Sequence, residues 1–285
     1  MNSFQQTIAK EITCSGIGLH SGKEVNLTLK PALENHGIKF VRSDLQNQPV
    51  ISAIFQKVVD TSLATVLGND GAIVSTIEHL MAAFNGLGID NILVEMDFYE
   101  VPIMDGSAGP FVDMINKAGI VQQDYEKMVF AIKKPMEFSE NGKSVIIEPS
   151  DNFTITCSID FDHKLIGNQE YSIDINAESF ANEISRARTF GFVHELEYMR
   201  RYGLAKGGSL DNAIVLDKDS VLNKEGLRFK DEFVRHKILD SLGDFSLLGM
   251  PILGHLKLHK TGHAFHHAFL EEFLKNKKYW ETRYI

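Results

Sequence analysis

Apolar and polar residues alternate with period two over short stretches of this chain and recur with a period near 3.6 over others. The two kinds of stretch follow one another in an order that occurs twice. The first run opens with strand-like pieces at 7–17 and 24–30, separated by the turn-forming Ser21-Gly22. A helical stretch over 75–84 follows, then an apolar strand over 90–97 and a second helix over 110–118. In the second run, 128–138 and 144–149 flank Asn141-Gly142, the strongest short hairpin signal in the chain. Residues 152–161 alternate as a strand. Residues 231–248 are helical, with Phe233, Val234, Ile238, Leu239, Leu242 and Phe245 spaced at the helical period. A strand over 251–258 and a helix over 263–274 close the run. The pattern predicts an α+β fold of two similar domains, residues 1–123 and 124–285, each a mostly antiparallel sheet packed on a pair of helices. Residues 166–208 fit the repeat poorly and are expected to hold an insertion and site loops.

Composition narrows the function classes. Of 285 residues, 44% are hydrophobic, enough for a sizeable core. The net charge of −9 argues against a general nucleic-acid binder, because backbone affinity needs clustered Lys and Arg, but leaves room for a local basic patch facing a small phosphorylated substrate. Two cysteines, Cys14 and Cys157, exclude a disulfide scaffold and favour a reducing compartment. Both lie in strand-like segments and read as inert packing residues. The first residues carry no basic-then-apolar leader, and no apolar run reaches eighteen residues, so no bilayer span and a cytoplasmic location are expected. P-loop, dinucleotide and G-x-S-x-G signatures are absent from the sequence.

Candidate chemistry concentrates in FVRHKILDSLGD, residues 233–244. His236 and Asp240, four apart on a predicted helix, lie on one face, where an imidazole and a carboxylate can share a metal ion. Asp244 extends the stripe by one turn. Taken alone, the pair reads first as a hydrogen bond on a solvated helix face, and as a metal pair only second. His79, in STIEHLMAAF (75–84), is a third candidate ligand, but Ser75 and Glu78 also spell a capping box, and His79 also reads as a core histidine. His255, His259 and His263 have the spacing of a helical metal stripe. However, 252–259 alternates as a strand, on which residues four apart stand about 13 Å apart and cannot share an ion.

The motifs together resemble the UDP-3-O-acyl-N-acetylglucosamine deacetylase family, the zinc enzymes that catalyse the committed step of lipid A (lipopolysaccharide) biosynthesis in Gram-negative bacteria. The resemblance covers essentially the whole chain. It rests on SGIGLHSG (15–22), STIEHLMAA (75–83), PIMDGS (102–107), SRARTFGF (185–192), KGGSLDNA (206–213), LRFKDEFVRHKILDSLGD (227–244) and KTGH (260–263). It implies helix layers of the two domains that face each other with the site between. It further implies one Zn2+ per chain, held by His79, His236 and Asp240, with an open fourth position; a His2Asp set also accepts Fe2+.

In the same resemblance Glu78 is the general base and His263 a second acid–base residue that Asp244 orients. Thr189 helps stabilise the oxyanion, and Lys237 and Lys260 face phosphate or sugar. Phe190, Phe192, Leu196, Ala205, Leu210 and Val215 are expected to line an acyl passage, and Phe161 to stack on uracil. The implied reaction is hydrolysis of the 2-acetamido group of a UDP-3-O-(3-hydroxyacyl)-N-acetylglucosamine by a monomer. Two rivals stand beside it: a zinc deacetylase of another N-acetyl substrate, and a non-catalytic domain stabilised by a metal.

Overall fold

The computed structural model describes residues 2–285. Its helices are α1 (Glu78–Leu87), α2 (Gly109–Ala118), the single turn α3 (Ala177–Ser179), α4 (Val193–Arg201), α5 (Glu232–Phe245) and α6 (His263–Lys275). A five-stranded sheet runs in the order Ile12–Ile17, Glu24–Pro31, Ile92–Met96, Ile38–Arg42, Val50–Ser52. Its neighbours are antiparallel except Ile38–Arg42, which lies parallel to Ile92–Met96. Strand Glu24–Pro31 shows why the sheet forms: Val25, Leu27 and Leu29 point into the core while Glu24 and Asn26 face water.

A second, seven-stranded sheet is mixed. Strand Ile252–His259 runs antiparallel to Lys143–Glu148 but parallel to Met128–Ile132 and Phe153–Phe161. The fold is therefore α+β, as the pattern predicts, with more parallel pairing near its centre than expected. The Asn141-Gly142 hairpin forms as expected, with both residues at positive φ between Met136–Glu140 and Lys143–Glu148.

Several stretches differ from the sequence reading. Residues 38–74 carry five strands that the pattern does not predict, Ile38–Arg42, Val50–Ser52, Val58–Asp60, Val66–Asn69 and Ala72–Val74, and the expected strand over 128–138 is two, Met128–Ile132 and Met136–Glu140. The expected strand over 7–17 breaks at 9–11, and its first piece, Phe4–Ile8, leaves the sheet to pair with Ile120–Glu126. The segment taken as a divider near residue 123 is thus itself a strand. Within 166–208, Gly167–Asp174 forms a full antiparallel ladder with Phe153–Phe161 instead of a loop. Only Phe190–Phe192, paired in parallel with Ile214–Leu216, and α4 behave as an insertion. Finally, Trp280–Tyr284 adds an unforeseen strand beside Met128–Ile132.

The buried face of α1 meets α5 at very short range. A Cβ added to Gly243 would lie 2.1 Å from the carbonyl oxygen of Glu78, so the two backbones cross in contact. The Asn85 side chain donates to the Leu242 carbonyl at 2.9 Å and fixes the crossing farther along. Nearly every residue of α5 is buried, because strands Phe153–Phe161 and Gly167–Asp174 cover its other side. Each fully buried Leu, Ile or Phe there stabilises by about 1.5–3 kcal/mol. No helix among the described residues is long and apolar enough to cross a membrane. Cys14 and Cys157 are both free, and burial pushes their thiols up to about 11 and about 12, as inert packing residues require.

Candidate metal centre

Helix α1 starts two to three residues later than its pattern suggests. Ser75 is held by the Tyr99 carbonyl, and Thr76 turns at φ +58 with its hydroxyl donating to Glu100. The capping box of Ser75 and Glu78 does not form. Glu78 is the first helical residue, and its carboxylate is free for other work.

The crossing of α1 and α5 brings His79 to His236 and Asp240. All three are buried, at 5%, 2% and 4% exposure, which removes the surface-pair reading. Asp240 Oδ1 lies 3.2 Å from His236 Nε2 and 3.6 Å from His79 Nε2. His236 Nδ1 sits 3.0 Å from the Ala187 carbonyl, which can only accept, so Nδ1 carries the ring proton. The Nε2 lone pair of neutral His236 therefore faces a carboxylate oxygen. Two acceptors at that distance repel unless a cation lies among them. Burial pushes His236 away from protonation, with Asp240 opposing. Burial also opposes the charge on Asp240, but positive charge beside it, with the Lys237 ammonium 2.9 Å from its Oδ2, outweighs burial and holds the carboxyl well below its usual range. A neutral imidazole beside an ionised carboxylate, with ligand atoms all within 4.8 Å of one another, fits a divalent metal and in particular zinc.

One turn farther along α5, Asp244 gathers a different cluster. Its Oδ2 accepts from His263 Nδ1 and His266 Nδ1, each at 2.7 Å, and its Oδ1 accepts the Thr65 hydroxyl at 2.6 Å. His266 Nε2 lies 2.8 Å from the Thr261 hydroxyl. Protons fill these contacts, so this cluster is a hydrogen-bond network. Burial works against charge on His263, but Asp244, aided by Glu78 and Asp240, pushes its pKa up to about 10. Burial works against charge on Asp244 as well, and His263 and His266 outweigh it, keeping the carboxyl ionised. His263 Nε2 stands 3.9 Å from Glu78 Oε1. Burial, reinforced by Asp240 and Asp244, raises the pKa of Glu78 against the pull of His263 and His79. A cationic imidazole and a basic carboxylate thus face each other beside the group of His79, His236 and Asp240 that could hold a metal, an arrangement suited to moving protons.

The remaining expected residues fall into three groups. Lys237 Nζ donates to the other oxygen of Asp240 at 2.9 Å and sits 5.5 Å above the Phe190 ring. Thr189 lies in the segment that carries the Ala187 carbonyl, and its backbone bridges Gly106 and Ile214. Phe161, Phe190 and Phe192 form an aromatic cluster, and Leu196 packs over Gly191. Val215 and Ala205 are buried, whereas Leu210 is at the surface. Lys260 is paired with Asp160 at 2.7 Å instead of standing free. His255 and His259, on their strand, bond Thr156 and Ser158 and do not join His263. A cavity of about 670 Å³ opens at the opposite end of α1, between Gly86–Ile89, Ile38 and Met250, and none of these site residues lines it.

Sequence reasoning missed four contributors. Gly243 makes the helix crossing possible. Arg188, buried against Glu232 at 2.8 Å, pins the 185–189 segment to the start of α5. Thr65 and His266 complete the bonding of Asp244. His266 was within reach, since it lies three residues from His263 on one helical face. The other three depend on contacts distant in sequence.

The family model described as UDP-3-O-acyl N-acetylglycosamine deacetylase (LpxC) matches residues 5–275. The chain is 50% identical over 277 residues to UDP-3-O-acyl-N-acetylglucosamine deacetylase of Myxococcus xanthus, covering 97% of this chain and 88% of that one. It is 50% identical over 278 residues to the protein of the same description from Syntrophotalea carbinolica, covering 98% and 90%. The counterpart from Nitratidesulfovibrio vulgaris is 52% identical over 272 residues, covering 95% and 88%.

Proposed function

This chain belongs to the UDP-3-O-acyl-N-acetylglucosamine deacetylase family, and from that premise we propose how its own residues carry the reaction. It is a zinc-dependent hydrolase of lipid A biosynthesis that removes the 2-acetamido acyl group of UDP-3-O-acyl-N-acetylglucosamine, giving acetate and a free amine. One observation above all supports the reading of the site: two buried imidazole nitrogens converge on one buried carboxylate oxygen, His236 Nε2 at 3.2 Å and His79 Nε2 at 3.6 Å from Asp240 Oδ1.

His79, His236 and Asp240 would hold the metal. Bound there, zinc supplies positive charge where a water is to lose a proton and where the amide oxygen is to gain negative charge. The Ala187 carbonyl keeps His236 in the tautomer that offers Nε2, and Lys237 keeps the second oxygen of Asp240 engaged. Glu78, its basicity raised by burial, takes the proton of the attacking water. Thr189 offers its hydroxyl to the developing oxyanion. The carbon–nitrogen bond then breaks. His263, held cationic by Asp244, gives its Nε2 proton to the leaving nitrogen, so acetate departs and the sugar keeps the amine. Lys237 and Lys260 supply positive charge towards phosphate or sugar. The aromatic cluster of Phe190 and Phe192, with Leu196, Ala205, Leu210 and Val215, forms the acyl passage, and Phe161 stacks on uracil.

We further infer one metal per chain, with iron(II) able to replace zinc, and a cytoplasmic monomer. We also infer two domains of similar layout, 1–123 and 124–285, whose facing helices α1 and α5 frame the site. The test is acetate release from a UDP-3-O-acyl-N-acetylglucosamine before and after chelation and with zinc restored. Release that is lost and regained with the metal is expected. Release indifferent to the metal, or equal turnover of N-acetyl substrates lacking UDP or the acyl chain, would overturn the assignment.

A further inference from the structure

Thr65 lies between strands Val58–Asp60 and Val66–Asn69 and is 2% exposed. Its backbone N–H donates to Oε2 of Glu78 at 3.2 Å. Its hydroxyl donates to Oδ1 of Asp244 at 2.6 Å, and the Thr65 hydroxyl oxygen itself lies 3.4 Å from Nδ1 of His263. One residue therefore touches the acid–base groups of α1, α5 and α6 at once. The two imidazoles on Asp244 both use Oδ2, so Oδ1 relies on the Thr65 hydroxyl. A buried carboxylate oxygen deprived of its donor is costly, and the group rotates to recover one. Rotation of Asp244 would carry the His263 ring with it, because the 2.7 Å bond to Oδ2 is the shortest contact that ring makes and the 3.4 Å contact comes from Thr65 itself.

We propose that Thr65 is the positioning residue that sets Glu78 and His263 against each other across the helix seam. The proposal rests on the reading above that these two residues exchange protons with the substrate. The hydroxyl of Thr65 fixes the rotation of Asp244, and so the aim of His263 Nε2. Its N–H engages Oε2 of Glu78, which leaves Oε1 directed at His263, 3.9 Å away. Neither contact touches a metal ligand, so loss of the hydroxyl should alter turnover more than binding.

Thr65→Val removes the hydroxyl while keeping the N–H and nearly the same volume. Thr65→Ser restores the hydroxyl without the methyl group. In the zinc-loaded full chain, Thr65→Val is expected to lower kcat by about tenfold to a hundredfold with KM within about twofold, and Thr65→Ser to recover most of that loss. Proton–nitrogen NMR should show the Nδ1–H signals of His263 and His266 displaced or broadened by exchange in the Val variant and restored in the Ser variant. Should the Val variant fail to fold, Thr65→Ala removes the hydroxyl with less bulk and carries the same expectation. Wild-type kcat in the hydroxyl-less variant, or equal impairment of Thr65→Ser, would overturn the proposal. Glu78→Gln and His263→Gln assayed alongside separate the two levels. If they lose turnover and Thr65→Val does not, only the role of Thr65 falls; if they keep it, the reading of the site falls as well.

Discussion

Gly243→Ala tests whether the helix crossing sets the geometry of the metal centre. The new Cβ would meet the Glu78 carbonyl oxygen at 2.1 Å, its carbon at 2.8 Å and its Cα at 2.9 Å, all backbone atoms that cannot swing aside. An ordinary contact begins near 3.4 Å, so α1 and α5 must separate locally by about 1.3 Å along that line. Two energies oppose each other. Alanine is the better helix former by about 1 kcal/mol, while forcing extra volume into a packed crossing costs about 1–3 kcal/mol. The net loss of stability is then at most about 2 kcal/mol, and the variant should fold. The site should suffer more than the fold, because His79 moves with α1 while His236 and Asp240 move with α5. Misplacement of about 1 Å can lower turnover about a hundredfold. Chelator competition for zinc, kcat/KM and thermal melting of the metal-free chain would be measured together. Weaker zinc binding and turnover down by about tenfold or more, with a melting temperature lowered by only a few degrees, is expected. Wild-type zinc affinity and turnover would refute the idea that this contact positions the ligands.

Three further outcomes follow from the same geometry. Glu78→Gln keeps the shape and the bond from Thr65 but removes the carboxylate proposed as the base; kcat should fall about 10²- to 10⁴-fold with full zinc content, and a drop below tenfold would remove Glu78 from that role. His263 has a folded pKa of about 10 against a usual 6.5, so its stabilising contribution is complete below about pH 6.5 and is lost as the pH rises through 10. Asp244 stays ionised throughout that window and adds no slope. Urea melts of the metal-free wild type should therefore converge on those of His263→Gln between about pH 7 and 10, and parallel curves would contradict the assignment. Arg188→Met strands Glu232, which is fully buried, and should cost about 3–5 kcal/mol in urea unfolding. Adding Glu232→Leu should regain part of that loss, and no regain would mean that lost packing, not the stranded charge, causes it.

Local physics made much of this molecule legible from its residues. Period-two and period-3.6 patterns report which face of an element is apolar, and that suffices to place α2, α6, the start of α5 and five strands, Glu24–Pro31, Ile92–Met96, Lys143–Glu148, Phe153–Phe161 and Ile252–His259, to within a residue or two, while about half of the strands carry no pattern strong enough to read. The Asn141-Gly142 hairpin follows from backbone preferences alone. His236 and Asp240 share a face because helix geometry requires it, and motif resemblance adds His79, Glu78 and His263. Tertiary structure decided the rest. Pattern does not say which strands neighbour each other, so the parallel pairing of Ile252–His259 and the departure of Phe4–Ile8 could not be read. A helix start depends on what holds the preceding residues, and the contacts of Ser75 and Thr76 moved α1 past its apparent cap. Above all, the site exists because two helices separated by some 150 residues of chain cross at Gly243 with no side chain between them. That contact, the Thr65 bridge and the Arg188 anchor are long-range packing events, and a one-dimensional string carries no distance between such partners until the chain has folded.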